Sequence, residues 1–358
     1  MTAGGGFRHR ARAFVLAGTA AAGVLALWGL AGPSPGTAIA GWLVGLLFWL
    51  GIALGAYTLL SVHALTGGLW LSALRPVLMP AAATLPVFGL LALPLLLDPP
   101  ALYPWAADPS VVRDAVARWY LNLPGFVARG AVALAGWSVL AVLLLRTEAR
   151  RPAVGAAALV FHAVAITIVG VDWVLSLEPH FRSTVFGAAL ALTQVLSALA
   201  WCAMLEPEPA GGRGKAGDLA RMLMAAALGA VYLGFAQFLV AWYGNLPRKA
   251  EWFLKREAAP WIWLEGASIL LSTILPIAAL LPRGMRRSPP GLAGVGAGVL
   301  VGVLLHTAWL VGPPFGPWTL LSAALGTVAV GGLWLALLGG LVAPRLAGPE
   351  TRRAAHGG

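Results

Sequence analysis

The sequence predicts an all-α, polytopic integral membrane protein of about ten transmembrane helices, and three observations predict it. Hydrophobic residues make up 59% of the 358 and charged residues only 10%, against about 25% charged in a soluble domain. Ten apolar runs approach or exceed the ~20 residues that a helix needs to cross a bilayer. Basic residues gather in short clusters between those runs, as they do in the loops of a membrane protein. The net charge of +11 therefore belongs to loops rather than to one basic face, and nucleic acid is not expected as a partner. Glycines and prolines, 45 and 26 in number, suit a helical bundle, because Gly lets helices approach and Pro marks ends and kinks. The single cysteine, Cys202, excludes an intrachain disulfide and a thiolate iron–sulfur or zinc site built by this chain alone.

The runs cover 13–31, 40–62, 80–97, 126–145, 153–175, 184–204, 219–243, 261–281, 291–311 and 319–341. The first follows Arg8, Arg10 and Arg12, and with Ala38-Ile39-Ala40 downstream it also fits a cleaved signal peptide. Its length, and Pro33 and Pro35 after it, favour a retained helix. The third holds Pro80, Pro86 and Pro94 and is expected to be bent or tilted. In the long loop 98–125, Asp108-Pro109-Ser110 has the pattern of a helix cap, which places a short helix at 110–121 with its aromatics on the membrane.

The fifth run carries His162 near mid-membrane and Asp172 ten residues on, about 15 Å nearer one surface at ~1.5 Å per residue. Ten regular helical steps leave the two on one broad face. Glu178 and His180 follow in the connecting turn. The loop 205–218, with alternating Glu and Pro and then four glycines, reads as flexible. Glu265 enters the eighth run, and His306 sits near the end of the ninth. Residues 344–358 read as a disordered tail, leaving 1–343 as a single transmembrane helical domain.

Orientation follows from the loops. With the N-terminus cytoplasmic, inner segments hold 16 of the 24 Lys and Arg and outer segments hold 8. Both termini are then inside, and because an odd number of spans would break the alternation, the pattern supports an even count. Asp172, Glu178, His180, Glu265 and His306 all fall in the outer half. An ionisable residue costs about 2.5–3.5 kcal/mol at the bilayer centre on insertion scales, so each needs a reason. One reading is a buried polar route opening outward, since burial and neighbours bring carboxylates and imidazoles toward neutral pKa. The other is structural: Asp172 pairs with Arg182 or caps a helix end, and Glu178-Pro179-His180 is turn chemistry.

The stretch Tyr232–Arg256 is the most informative. An apolar helix ends on Trp242-Tyr243, passes through Gly244-Asn245-Leu246-Pro247, and gives way to a segment alternating charge and aromatics up to Arg256. Gly and Asn permit the bend and Pro cannot continue the helix. A surface helix from Ala250 is expected, with Tyr243, Asn245, Glu251 and Arg256 facing a partner subunit or lipid headgroups, or anchoring the interface by snorkelling.

Trp242-Tyr243-Gly244-Asn245-Leu246-Pro247, Glu251-Trp252-Phe253 and Arg256 together resemble the "WYANIPEE…W/Y…R" signature of the F subunit of alternative complex III. That subunit, the quinone-binding subunit 2 of quinol:cytochrome c oxidoreductase, belongs to the NrfD-like membrane proteins. The stretch Asp172-Trp173-Val174-Leu175-Ser176-Leu177-Glu178-Pro179-His180, with Ser183, Thr184 and Gly187, is similar to the family's "DWxxSLEPHWxST…G". Leu102-Tyr103-Pro104-Trp105 is similar to its "LYPW" loop. The three stand in family order and bracket roughly residues 60–285. Arg248-Lys249 departs from the acidic residues that commonly follow the proline.

The resemblance implies two four-helix bundles flanked by two further helices, in a bacterial inner membrane. It implies a subunit without a redox centre of its own in a quinol:electron-acceptor oxidoreductase, with quinone as a possible ligand. The partners it implies are a C-type NrfD-like quinol-binding subunit, an iron–sulfur B subunit and haem c subunits that carry the electrons. In that setting His162, Asp172, Glu178, His180, Glu265 and His306 become candidates for a proton path, and Tyr103 and Trp105 join the interface candidates. No residue is assigned a catalytic or metal-ligating role. A secondary transporter using the same carboxylates and a purely structural scaffold remain the alternatives.

Overall fold

The computed structural model describes residues 3–31, 34–71, 74–146, 152–205, 213–244, 246–286 and 288–337. Every regular element among them is helical. We number the long helices α1 (Ala3–Ala31), α2 (Pro35–Thr66), α3 (Arg75–Leu96), α4 (Leu123–Arg146), α5 (Pro152–Leu177), α6 (Phe186–Leu205) and α7 (Arg213–Tyr243). Then come the short α8 (Pro247–Leu254), α9 (Trp261–Leu280), α10 (Pro289–Val311) and α11 (Thr319–Leu337). Nine of the described helices are long and apolar enough to cross a membrane, and α1 adds the apolar piece Phe14–Gly29. The chain is thus an all-α, multi-pass membrane protein, and each of the ten expected runs falls on its own long helix.

Two closed rings of four helices form the body. In the first, α2 packs on α3, α3 on α4, α4 on α5, and α5 back on α2. In the second, α6, α7, α9 and α10 close in the same way. The rings share the α2–α6 contact, while α1 and α11 pack together beside α2. This is the expected plan of two bundles and two flanking helices. Helix α2 is apolar on every side because it is surrounded on every side; it is the most buried span.

Small residues set the spacing at its closest contact. A Cβ on Gly41 would lie 2.3 Å from the Ser322 backbone, and one on Gly326 would lie 2.0 Å from the Gly41 carbonyl. Without a hydrophobic drive between helices in lipid, such close approach supplies the packing energy. Three polar side chains then pin α11 in place. Ser322 Oγ donates to the Thr37 carbonyl (2.8 Å), Trp49 Nε1 to that of Thr327 (2.8 Å), and Trp334 Nε1 to Thr84 Oγ1 (2.7 Å).

Prolines break α3 as expected. A helix over Arg75–Ala83 passes into 3-10 turns at Leu85–Val87 and Leu93–Leu96. Two further interruptions carry no sequence warning. In α5 a π turn covers Gly170–Val174, and in α9 another covers Leu270–Ile274. The first shifts the angular step only from Gly170 on, and His162 and Asp172 both still face α4, on Trp137 and Arg129.

The short helices and aromatic loops at 98–122, 178–185, 244–260 and 312–318 all lie at one end of the rings, which we call the capped face. The charge pattern expects this face outside. In the first of these loops Asp108 accepts hydrogen bonds from Ser110 N (2.9 Å) and Oγ (2.8 Å), which hold its carboxyl below the usual range. The turn it caps, Pro109–Val111, is separate from the helix Asp114–Trp119, where one helix over 110–121 was expected. Asn245, the loop 206–212 and the tail 344–358 lie outside the described residues.

Candidate functional site

Three ion pairs gather beneath the capped face. Arg129, from the second turn of α4, donates from Nε to Asp172 Oδ2 (2.7 Å) and from Nη2 to Oδ1 (3.1 Å). Its guanidinium also donates to the Tyr120 carbonyl (2.9 Å) and lies 4.0 Å over the Tyr120 ring. Asp172 is 1% exposed. The pairing with Arg182 does not form; Arg129 takes the carboxylate instead. The Tyr120 hydroxyl is pushed up to about 12, first by burial and then by the Asp172 charge.

The second pair joins Arg256 to Glu178 (2.6 Å), with Lys255 Nζ at 3.6 Å from the same carboxylate. Arg256 was expected to face a partner or lipid. It is 2% exposed, and its Nη1 and Nη2 donate inside the chain, to Glu178, to the Trp252 carbonyl (2.9 Å) and to that of Leu310 (3.2 Å). Its guanidinium stacks 3.6 Å over Trp252. Burial pulls its pKa below the ordinary arginine value and the Glu178 charge opposes that. The reason is local: α8 begins at Pro247 rather than Ala250, because Pro suits the first helical position. Trp252 is thereby laid against Phe181 (ring centroids 4.3 Å apart), with Arg256 beneath it.

The third pair joins His306 on α10 to Glu265 on α9, with Nδ1 3.0 Å from each carboxylate oxygen. It lies on the wall of a cavity of about 480 Å³ between α6, α7, α9 and α10, roofed by Trp252 and Phe253 of α8. Phe235, Phe238, Trp309 and Ile262 supply apolar wall, and Ser268, Ser272 and Thr273 line it beside the π turn. Phe235, Phe238 and Ile262 are exposed on the surface of the bundle. The cavity therefore opens sideways between α7 and α9, where a bilayer would lie. Helix α7 packs on the later part of α9, its π turn and last segment, so the gap is toward the capped face.

The structure thus brings Glu265 to His306 and Glu178 to Arg256, pairings that no spacing in the sequence announces. His162 stands apart, buried in the first ring between Tyr57 and Trp137 with ring centroids 5.9 Å from each. His180 is exposed in its turn. Tyr103 and Trp105 do not form an interface. Both are buried, packed on one another and on Phe126 inside the first ring's cap. Tyr243 and Glu251 are on the surface. Arg129 was missed as a site residue, yet the signal was present: it lies within the fourth apolar run, and an arginine inside a span needs a partner.

No protein-family model matches the chain, and no curated protein is significantly similar to it. What the fold establishes is the class, a polytopic helical membrane protein with titratable pairs beneath one face.

Proposed function

We propose that this chain is a membrane subunit of an alternative-complex-III-like quinol:electron-acceptor oxidoreductase, without a redox centre of its own. In this reading it contributes a proton path at the outer face of a bacterial inner membrane, with both termini cytoplasmic. The Glu265–His306 pair on the cavity wall is the observation that carries it. Oxidising a quinol releases two electrons and two protons. The electrons leave through iron–sulfur and haem c centres of partner subunits, beside a C-type quinol-binding subunit of the same family. The protons need titratable acceptors, and a carboxylate hydrogen-bonded to an imidazole supplies two.

The cavity suits a quinone-class molecule. Its ~480 Å³ lies within the roughly 300–1,000 Å³ of small-molecule sites, which are likewise apolar with few polar groups. Its mouth faces the lipid from which such a molecule comes, and the Glu265 carboxylate is an acceptor for a hydroxyl. Asp172 has a positioning part in this scheme, fixing α5 against α4. Tyr243 and Glu251 leave a surface at α8 for a partner or for lipid. The transporter alternative calls for broken helices at matching places in the two halves. The broken α3 stands second in its ring, and the second member of the other, α7, runs unbroken from Arg213 to Tyr243.

Purification through a tag on this chain in mild detergent should recover a haem-c-containing assembly that oxidises quinol. In that assembly Glu265→Gln should slow proton release at least about tenfold, a conservative bound on the ~100-fold or more that a positioned acid–base group contributes. Recovery of a lone chain, or unchanged turnover and proton release in Glu265→Gln, overturns the proposal.

A further inference from the structure

The large cavity has a small neighbour. Between α2, α5, α6 and α10 lies a second space of about 30 Å³, walled by Gly51, Ile166, Gln194, Ser197 and Thr307. Thr193 and His306 line both spaces, so the imidazole stands in the partition between them. About 10–15 Å³ on this measure holds one water. The small space has room for one or two.

Its polar lining is rich in acceptors. Gln194 is 8% exposed, and its Oε1 is buried and bonded to no protein group. The hydroxyls of Thr193, Ser197 and Thr307 donate to the carbonyls of Ala189 (2.9 Å), Thr193 (2.8 Å) and Val303 (2.8 Å) on their own helices. Each hydroxyl oxygen keeps a lone pair for another donor. The Gln194 oxygen and the hydroxyls thus leave acceptor capacity for an O–H donor, and a buried water with its usual two to four polar partners meets that need. Backbone contact sets the spacing of α2 and α6 there: a Cβ on Gly55 of α2 would lie 1.9 Å from the Gln194 main-chain oxygen.

We infer that this space is an internal water site held by Gln194, and that its water is the first inward step for a proton leaving the Glu265–His306 pair. Glu265 occupies Nδ1 of His306, and Nε2 is the nitrogen left for a second exchange. An imidazole that gains a proton at one nitrogen and releases one from the other passes charge through a wall that blocks a molecule. The source of the proton rests on the function proposed above; the water site does not.

Two measurements test this. A density map of the full chain in lipid nanodiscs, at a resolution that shows ordered water, should contain a peak within about 3.2 Å of Gln194 Oε1. Gln194→Met, which keeps the side-chain length against Gly51, should lose that peak. A wild-type map without it overturns the site. In proteoliposomes of the assembled complex, protons delivered to the opposite side per electron should fall about tenfold in Gln194→Met, and an unchanged ratio overturns the relay. Should Gln194→Met fail to assemble, Thr307→Val removes one acceptor at constant volume, and the ratio should fall about threefold, no change again overturning the relay. Wild-type complex that oxidises no quinol counts against the proposed function, and the map still decides the water site.

Discussion

The two rings carry an ion pair at the same place. In each, the third and fourth helices meet beneath the capped face, Arg129 of α4 with Asp172 of α5 and Glu265 of α9 with His306 of α10. The chemistry is opposite. In the first ring a guanidinium, which does not release its proton near neutral pH, grips a carboxylate with two hydrogen bonds and is itself covered by Tyr120. Tyr103, Trp105 and Phe126 fill the space around it. In the second ring the cation is an imidazole, both partners are partly open, and the space beside them is a cavity. One pair is saturated and fixed; the other can change its protonation and has room for a ligand. Burial depth alone therefore does not distinguish the two acids. The kind of partner and the space next to it do, and the proposed function rests on that difference.

The comparison breaks first on stability. Arg129→Ala leaves Asp172 buried without its cation, and breaking a buried pair on one side costs about 3–5 kcal/mol. Unfolding in mixed micelles should show that loss. The double change Arg129→Met with Asp172→Leu should recover at least about half of it, because replacing both charges removes the desolvation cost. A loss below ~1 kcal/mol for the single variant would sink the claim that this pair is structural. Arg256→Met comes next, at about 2–3 kcal/mol. Lys255 at 3.6 Å keeps Glu178 a partner, and the carboxylate is open enough to water for screening to soften the loss. A loss for Arg256→Met as large as that for Arg129→Ala would show that the two clamps are equally closed.

Much of this architecture was legible in the residues. Apolar runs at membrane length gave every long helix, Pro80, Pro86 and Pro94 gave the broken one, and basic clusters gave an alternation of ends that the rings respect. The site was legible residue by residue and not as pairs. Glu265 and His306 lie 41 positions apart and Glu178 and Arg256 lie 78 apart; a single sequence carries no signal of contact across such a gap. The aromatics misled for a physical reason. Trp and Tyr are as common in membrane interfaces as in cores, so Tyr103 and Trp105 read as surface when they fill the first ring's cap. The π turns were invisible because their residues, Gly-Val-Asp-Trp-Val and Leu-Leu-Ser-Thr-Ile, hold no proline and no pattern that sets a π turn apart from regular helix.

Smaller effects on stability sharpen the contrast where the second ring is concerned. Glu265→Gln should cost about 1 kcal/mol or less, because both partners are partly open and the neutral amide keeps a hydrogen bond to the imidazole. The same change should slow proton release about tenfold, while Asp172→Asn should do the reverse, losing stability and sparing release relative to the folded fraction. Unfolding and proton-release measurements on both variants give four numbers, and parallel losses in the two would end the distinction between the rings.

The smallest stability effect is expected at Gly234, on the α7 wall of the cavity. A Cβ there meets nothing within 4 Å, so Gly234→Leu fits without strain and places a side chain in the mouth. In a helix interior the change from Gly gains up to about 1 kcal/mol, so the protein should be unchanged or slightly more stable. A short-chain naphthoquinone, followed through quenching of tryptophan fluorescence from Trp252 and Trp309, should bind the parent chain and bind Gly234→Leu about tenfold more weakly. Equal affinity in the two would mean that the ligand does not use the gap between α7 and α9, and the open character of the second ring would lose its functional meaning.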